Sequence, residues 1–228
     1  MFELSVFLII IAIGVGLYAQ HRVTSAFSEY SKVRSSSNLT GAQVAGEILH
    51  AAQINDVEVV EINGMLGDHY DPSTKRLCLS SETYNTPSVA AAGIAAHETG
   101  HAIQHARAYA PLELRMAIVP ATSIVSQFLP LIMFGGLFLH MIPWTLVIQL
   151  CALGYGVMTV FQLITLPVEF DASRRAKIIL GQMGLIQPGA EAEGVNKVLN
   201  AAALTYVAAF VSSLGYLLYF LSASGRRN

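Results

Sequence analysis

Four stretches of this sequence are long and apolar enough to cross about 30 Å of hydrocarbon, which takes roughly 20 helical residues. They lie at about 4–19, 121–141, 144–166 and 204–221. With no water in the bilayer core, such segments must satisfy their backbone groups internally, and unbroken apolar runs of this length do so as helices. Composition agrees. Asp, Glu, Lys and Arg make up 12% of the 228 residues, whereas soluble domains carry about 25%. The apolar share is 54% and the mean hydropathy +0.53. These values exclude a disordered chain and leave no room for an ordinary soluble domain. A net charge of −2, with no basic run longer than Arg174-Arg175 or Arg226-Arg227, argues against nucleic acid as a partner. The two cysteines, Cys78 and Cys151, build neither a disulfide framework nor a thiolate metal cluster.

The stretch 4–19 is expected to be a retained anchor and not a cleaved signal. Its leading Met-Phe-Glu carries no Lys or Arg, and Leu17-Tyr18-Ala19 lacks a small residue three before a cleavage point. Four spans leave residues 21–115 and 167–203 on one side, with the termini and a short turn at His140–Pro143 on the other. Nine Lys and Arg residues near the spans fall in the two long segments, against Arg226 and Arg227 opposite. The positive-inside rule then puts both long segments in the cytoplasm; the expected location is a prokaryotic-type plasma membrane. The expected organisation is an anchor at 1–20, a cytoplasmic α+β segment at 21–115 and two transmembrane helices at 116–166. A cytoplasmic helical segment at 167–203 and a last span with tail at 204–228 complete it. The fold class is a mainly α, multi-span membrane protein with a small α+β part.

Local signals fill in the polar segments. Thr40 and Gln43 form a Thr-x-x-Gln capping box ahead of the stripe Val44, Ile48, Leu49. The β-branched run 57–64 and the alternating run 65–80 are broken by Asn63-Gly64 and Asp71-Pro72-Ser73, which predicts one or two hairpins. Thr86-Pro87 predicts a helix start, and Pro111 a helix end.

That helix holds His97-Glu98-Thr99-Gly100-His101, an H-E-x-x-H. Residues four apart lie one above the other on a helix, so both imidazoles can reach one Zn²⁺. Glu98 then stands beside the metal, placed to take a proton from water. A catalytic zinc takes three protein ligands. The extended pattern with a third histidine fails, because Gln104 and Arg107 occupy the Gly and His positions. Glu113 lies beyond Pro111, and no other acidic residue occurs before Glu169, which follows Pro167 where the third span ends. A carboxylate at the membrane edge is costly unless paired or coordinating, so Glu169 is the expected third ligand. Asp171 is about 200° round the helix from it and is placed instead to orient a histidine or pair with an arginine.

At these residues the sequence resembles the YugP-type membrane zinc metallopeptidases. The matching pieces are the anchor, DHYDPSTKRLCLS (68–80), AAHETGHAIQHA (95–106) and LPVEFDASRRA (166–176), in that order. More distantly, Glu169-Phe-Asp-Ala-Ser173 resembles the E-x-x-A-D of HtpX-type and CAAX-prenyl-type membrane proteases. That likeness implies Glu169 as a zinc ligand, and it departs at Ser173, where those relatives carry Asp.

The expected activity is a zinc metallopeptidase with one Zn²⁺ per chain, a zincin-like catalytic part, and peptide or membrane-protein substrates. His97, His101 and Glu169 hold the metal and Glu98 is the general base. His105, Asp171 and Arg174 are candidates to support the ligands or an oxyanion, although His105 in particular can equally be a packing residue. Arg76, Leu77, Cys78 and Leu79 are the candidate edge strand for an extended substrate. Two rivals remain at this point: an intramembrane zinc protease, and a scaffold whose zinc is structural. Neither the substrate nor the oligomeric state is legible.

Overall fold

A computed structural model describes residues 2–64, 67–137 and 141–225. His140, Arg226 and Arg227 lie outside the described residues, as do the side chains of residues 2–5, 8 and 137. The chain runs α1 (Phe2–Tyr30), α2 (Gly41–Ala51), β1 (Glu58–Ile62), β2 (His69–Asp71), β3 (Arg76–Ser80), α3 (Ser81–Asn85) and α4 (Val89–Ala106). It ends with α5 (Ala110–Leu137), α6 (Trp144–Gln182) and α7 (Ala190–Ser224). The architecture is mainly helical with one small sheet.

The capping box forms as the spacing predicts. Thr40 Oγ1 accepts the Gln43 amide N–H at 3.3 Å, and Gln43 Oε1 accepts the Thr40 N–H at 2.9 Å. Such a cap contributes about 1 kcal/mol. It starts α2, whose buried Val44 and Ile48 face α4.

The turn at Asp71 also forms. Its Oδ1 accepts from the Ser73 amide at 2.8 Å and from Ser73 Oγ at 2.6 Å, and its Oδ2 accepts from Thr74 Oγ1 at 2.7 Å. Those hydroxyl hydrogen bonds hold the carboxyl well below the usual range. Lys75 completes the turn at φ 53°, so β2 and β3 pair antiparallel with Tyr70 opposite Leu77.

Of the one or two hairpins expected, the β2–β3 pair is the one found among the described residues. β1 pairs in parallel with β3, Val60 opposite Cys78, and the strand order is β1-β3-β2. This corrects the expectation of a free edge at Arg76–Leu79. β3 is the central strand, paired with β1 from Arg76 to Ser80 and with β2 from Arg76 to Cys78, and Leu77 and Leu79 are fully buried. Each such leucine stabilises the fold by about 1.5–3 kcal/mol. The edges belong to β1 and β2.

Two boundaries differ from those expected. Ser88, not Thr86, caps α4, its Oγ accepting the Ala91 amide at 3.1 Å. The helix ends at Ala106, because Ala108 turns left-handed at φ 48°. Pro111 therefore does not stop α4; it sits in the first turn of α5, where its missing N–H costs no helical hydrogen bond.

The chain divides into two compact units. One comprises Gln20–Leu112 and Val168–Leu204, and its core draws on Val44, Ile48, Leu77, Leu79, Ala92 and Leu180. The other comprises Met1–Ala19, Glu113–Pro167 and Thr205–Asn228, with a core of Leu129, Val147, Cys151 and Phe220. In this second unit Phe128, Leu131, Leu153, Val160 and Leu163 are exposed, as suits helices whose surroundings are lipid.

Three helices among the described residues are long and apolar enough to cross a membrane: α5, α6 and α7. The fourth expected span, 4–19, lies within α1, which is not one of the three. At 1.5 Å per residue, the 39 residues of α6 reach about 58 Å. That is roughly twice the hydrocarbon thickness, so α6 is long enough to cross a bilayer and still carry residues beyond it.

Candidate metal centre

One turn of α4 separates His97 from His101, and the rings meet edge to face with centroids 4.8 Å apart at 85°. Facing them is Glu169, two residues after Pro167 on the same continuous α6. Its Oε2 lies 3.3 Å from His97 Nε2 and 3.4 Å from His101 Nε2. All three residues are buried, Glu169 with 2% exposure.

The donor atoms lie within 4.8 Å of one another. Ligand atoms set tetrahedrally about 2.1 Å from a zinc stand roughly 3.4 Å apart. The two histidine–carboxylate separations match that spacing, and two imidazoles with one carboxylate are a zinc donor set. Burial disfavours charge on these groups, yet hydrogen bonding and opposite charge outweigh it. They hold the Glu169 carboxyl far below the usual range and raise His101.

The approach of α6 to α4 depends on Gly100, inside the motif. A Cβ there would stand 2.9 Å from the Ala172 carbonyl oxygen and 3.2 Å from its Cα. Both are backbone atoms that cannot swing aside. Any side chain at position 100 would push Glu169 away from the histidines.

Glu98 is buried, and its Oε2 accepts the main-chain N–H of Tyr70 at 3.1 Å. Strand β2 therefore meets α4 at the carboxylate expected to act as base.

Residues 5–225 match a family described as "Putative neutral zinc metallopeptidase". The chain belongs to this family. A curated relative from Bacillus subtilis (strain 168), named "Putative membrane protease YugP", is 45% identical over 218 residues, 96% of this chain and 95% of the relative. The resemblance seen in the motifs thus extends along almost the whole chain. No solved structure matches it.

In this metallopeptidase family member, the remaining candidates take other places. Asp171 does not touch a histidine. It pairs with Arg174 and with Arg175 Nε at 2.5 Å, and its Oδ2 accepts from Gln104 Nε2 at 3.0 Å. Arg174 is accordingly tied to Asp171. His105 is not among the three grouped donors; its Nδ1 shares a hydrogen bond of 2.8 Å with the Tyr70 hydroxyl. Burial, then the charges of Asp56 and Asp71, push the Tyr70 phenol up to about 12, so it stays protonated.

Two residues that sequence reasoning did not single out for function touch the ligands directly. Gln104 Oε1 lies 3.0 Å from His101 Nδ1, and Ser173 Oγ lies 3.1 Å from His97 Nδ1. Gln104 registered only as a departure from the three-histidine pattern, and Ser173 only as a missing aspartate. Their positions in the motif segments were the available signal.

Proposed function

We propose that the protein is a membrane-embedded zinc metalloendopeptidase, its zincin-like α+β part acting at the cytoplasmic membrane surface. The observation that carries this reading is the buried His97–His101–Glu169 donor set with Glu98 beside it. His97, His101 and Glu169 would hold one zinc per chain. When bound, zinc supplies a Lewis acid that polarises the scissile carbonyl and lowers the pKa of water to about 7.

Glu98 takes the proton of the attacking water and returns it to the leaving amine. The Tyr70 main-chain N–H donates to its Oε2 at 3.1 Å and so fixes the direction in which the carboxyl group points. His105, its ring fixed by the Tyr70 hydroxyl, is the proposed donor to the developing oxyanion. Substrates are peptides or membrane-protein segments that reach the membrane surface.

Two observations favour this reading over its rivals. A structural zinc site is closed by a fourth protein ligand, whereas the grouped donors among the described residues are three. An intramembrane protease would carry its motif on a spanning helix, and α4 is not among the helices long and apolar enough to cross.

The test is peptide cleavage by the purified protein in detergent. Activity should vanish with a chelator and return with stoichiometric zinc. Cleavage indifferent to chelation would refute the assignment.

A further inference from the structure

We propose that Gln104 and Ser173 are the positioning residues of the metal centre. Each accepts the Nδ1–H of one ligand histidine and so presents that ring's Nε2 lone pair to the metal. The inference rests on the zinc reading above and assigns residues that the ligand set leaves out.

The hydrogen-bond network itself decides the proton positions around Gln104. Its amide nitrogen donates to the Val168 carbonyl oxygen at 2.8 Å and to Asp171 Oδ2 at 3.0 Å. Both partners only accept. Asp171 Oδ1 already accepts from Arg174 and its Oδ2 from Arg175 Nε at 2.5 Å, so its carboxylate oxygens act as acceptors. The amide can therefore not be turned over without setting oxygen against oxygen twice. That leaves Oε1 facing His101 Nδ1 at 3.0 Å. A carbonyl oxygen has no proton to give, so His101 Nδ1 must be the donor. A neutral imidazole with its proton on Nδ1 has its lone pair on Nε2, the nitrogen that faces Glu169.

Ser173 does the same for His97 from the other helix. Its hydroxyl is 3.1 Å from His97 Nδ1, while His97 Nε2 faces Glu169 at 3.3 Å. Ring nitrogens that ligate a metal must be unprotonated, so the remaining proton belongs on Nδ1 and Ser173 Oγ receives it. Both side chains are buried, Gln104 with 0% and Ser173 with 6% exposure.

The two contacts also tie the centre together mechanically. Gln104 lies on α4 one turn after His101 and is bound to α6; Ser173 lies on α6 one turn after Glu169 and is bound to α4. Each helix thus orients a ligand with help from its neighbour. Both acceptors in contact with the rings are uncharged, with the nearest stabilising carboxylate, Asp171, one amide away.

The test measures zinc dissociation constants and metal-free melting temperatures of the wild type, Ser173→Ala, Ser173→Thr and Gln104→Met. Loss of such an orienting group weakens metal binding by about 10–100-fold. Ser173→Ala should lose affinity in that range with its metal-free melting temperature little changed, and Ser173→Thr, which keeps the hydroxyl, should recover most of it. Gln104→Met, close in volume but without the amide, should lose a similar amount. Nitrogen-15 spectra of zinc-loaded wild type should show His97 and His101 both protonated at Nδ1. Wild-type affinity in Ser173→Ala, no recovery in Ser173→Thr, or Nε2 protonation of either ring would overturn the inference. Should Gln104→Met not fold, the serine pair and the spectra decide. A wild type that binds no zinc overturns the functional reading beneath, which is a different result from equal binding by all variants.

Discussion

Gly100 lies so close to Ala172 that a single added methyl would meet the backbone of α6 at 2.9 Å. The H-E-x-x-H pattern leaves that position open, but this fold does not. Gly100→Ala should destabilise the protein by about 1–3 kcal/mol, the usual range for overpacking. It should also lower zinc content, because Glu169 moves with α6. Metal analysis and thermal unfolding check both, and wild-type values in each would show that the helices are less tightly set than described.

The third ligand separates cleanly from its neighbours in sequence. Glu169→Ala should leave little zinc after dialysis. Asp171→Ala should retain more, since Asp171 reaches His101 only through Gln104. Glu113→Ala should retain all of it. Equal zinc in the three variants would remove Glu169 from the site.

Tyr70 and His105 offer a test of the oxyanion assignment. His105→Ala should reduce kcat by about 10²–10³-fold while zinc content holds, the usual cost of removing one oxyanion donor. Tyr70→Phe frees the ring but keeps the main-chain bond to Glu98, so its loss should be smaller. Loss of zinc in His105→Ala would mark it as a ligand instead.

Ser73 and Ala190 are exposed, and both are expected on the cytoplasmic side. Single cysteines placed there, in a background lacking Cys78 and Cys151, should label only when the inner face is accessible. Labelling of the two positions from opposite sides would break the topology expected from the sequence and the zinc site together.

The parts legible in the sequence are those set by local spacing. His97 and His101 follow from a four-residue interval, the start of α2 from Thr40 and Gln43, and the β2–β3 turn from Asp71. Glu169 emerged because acidic residues are so scarce between Glu113 and the end of the third span. What escaped was set by contacts distant along the chain. The run 76–80 looks the same whether its neighbours are one or two, and only the parallel pairing with β1 makes it central. The end of α4 turns on a left-handed Ala108, a conformation that alanine does not advertise. Gly100, Gln104 and Ser173 acquire their roles only where α6 crosses α4. The long helices α6 and α7 run through expected segment boundaries, because a helix can continue past the bilayer without a break.

The central claim is that Glu98 moves the proton at a zinc site built from His97, His101 and Glu169. The most direct measurement is peptide cleavage by Glu98→Gln beside the wild type, with zinc measured in the same samples. Glutamine keeps the size and can still accept the Tyr70 amide, but it cannot take a proton. The account requires full zinc occupancy in the variant and a rate lower by at least about 10²–10⁴-fold, the usual contribution of a general base. A zinc-loaded Glu98→Gln protein that cleaves at the wild-type rate would contradict it.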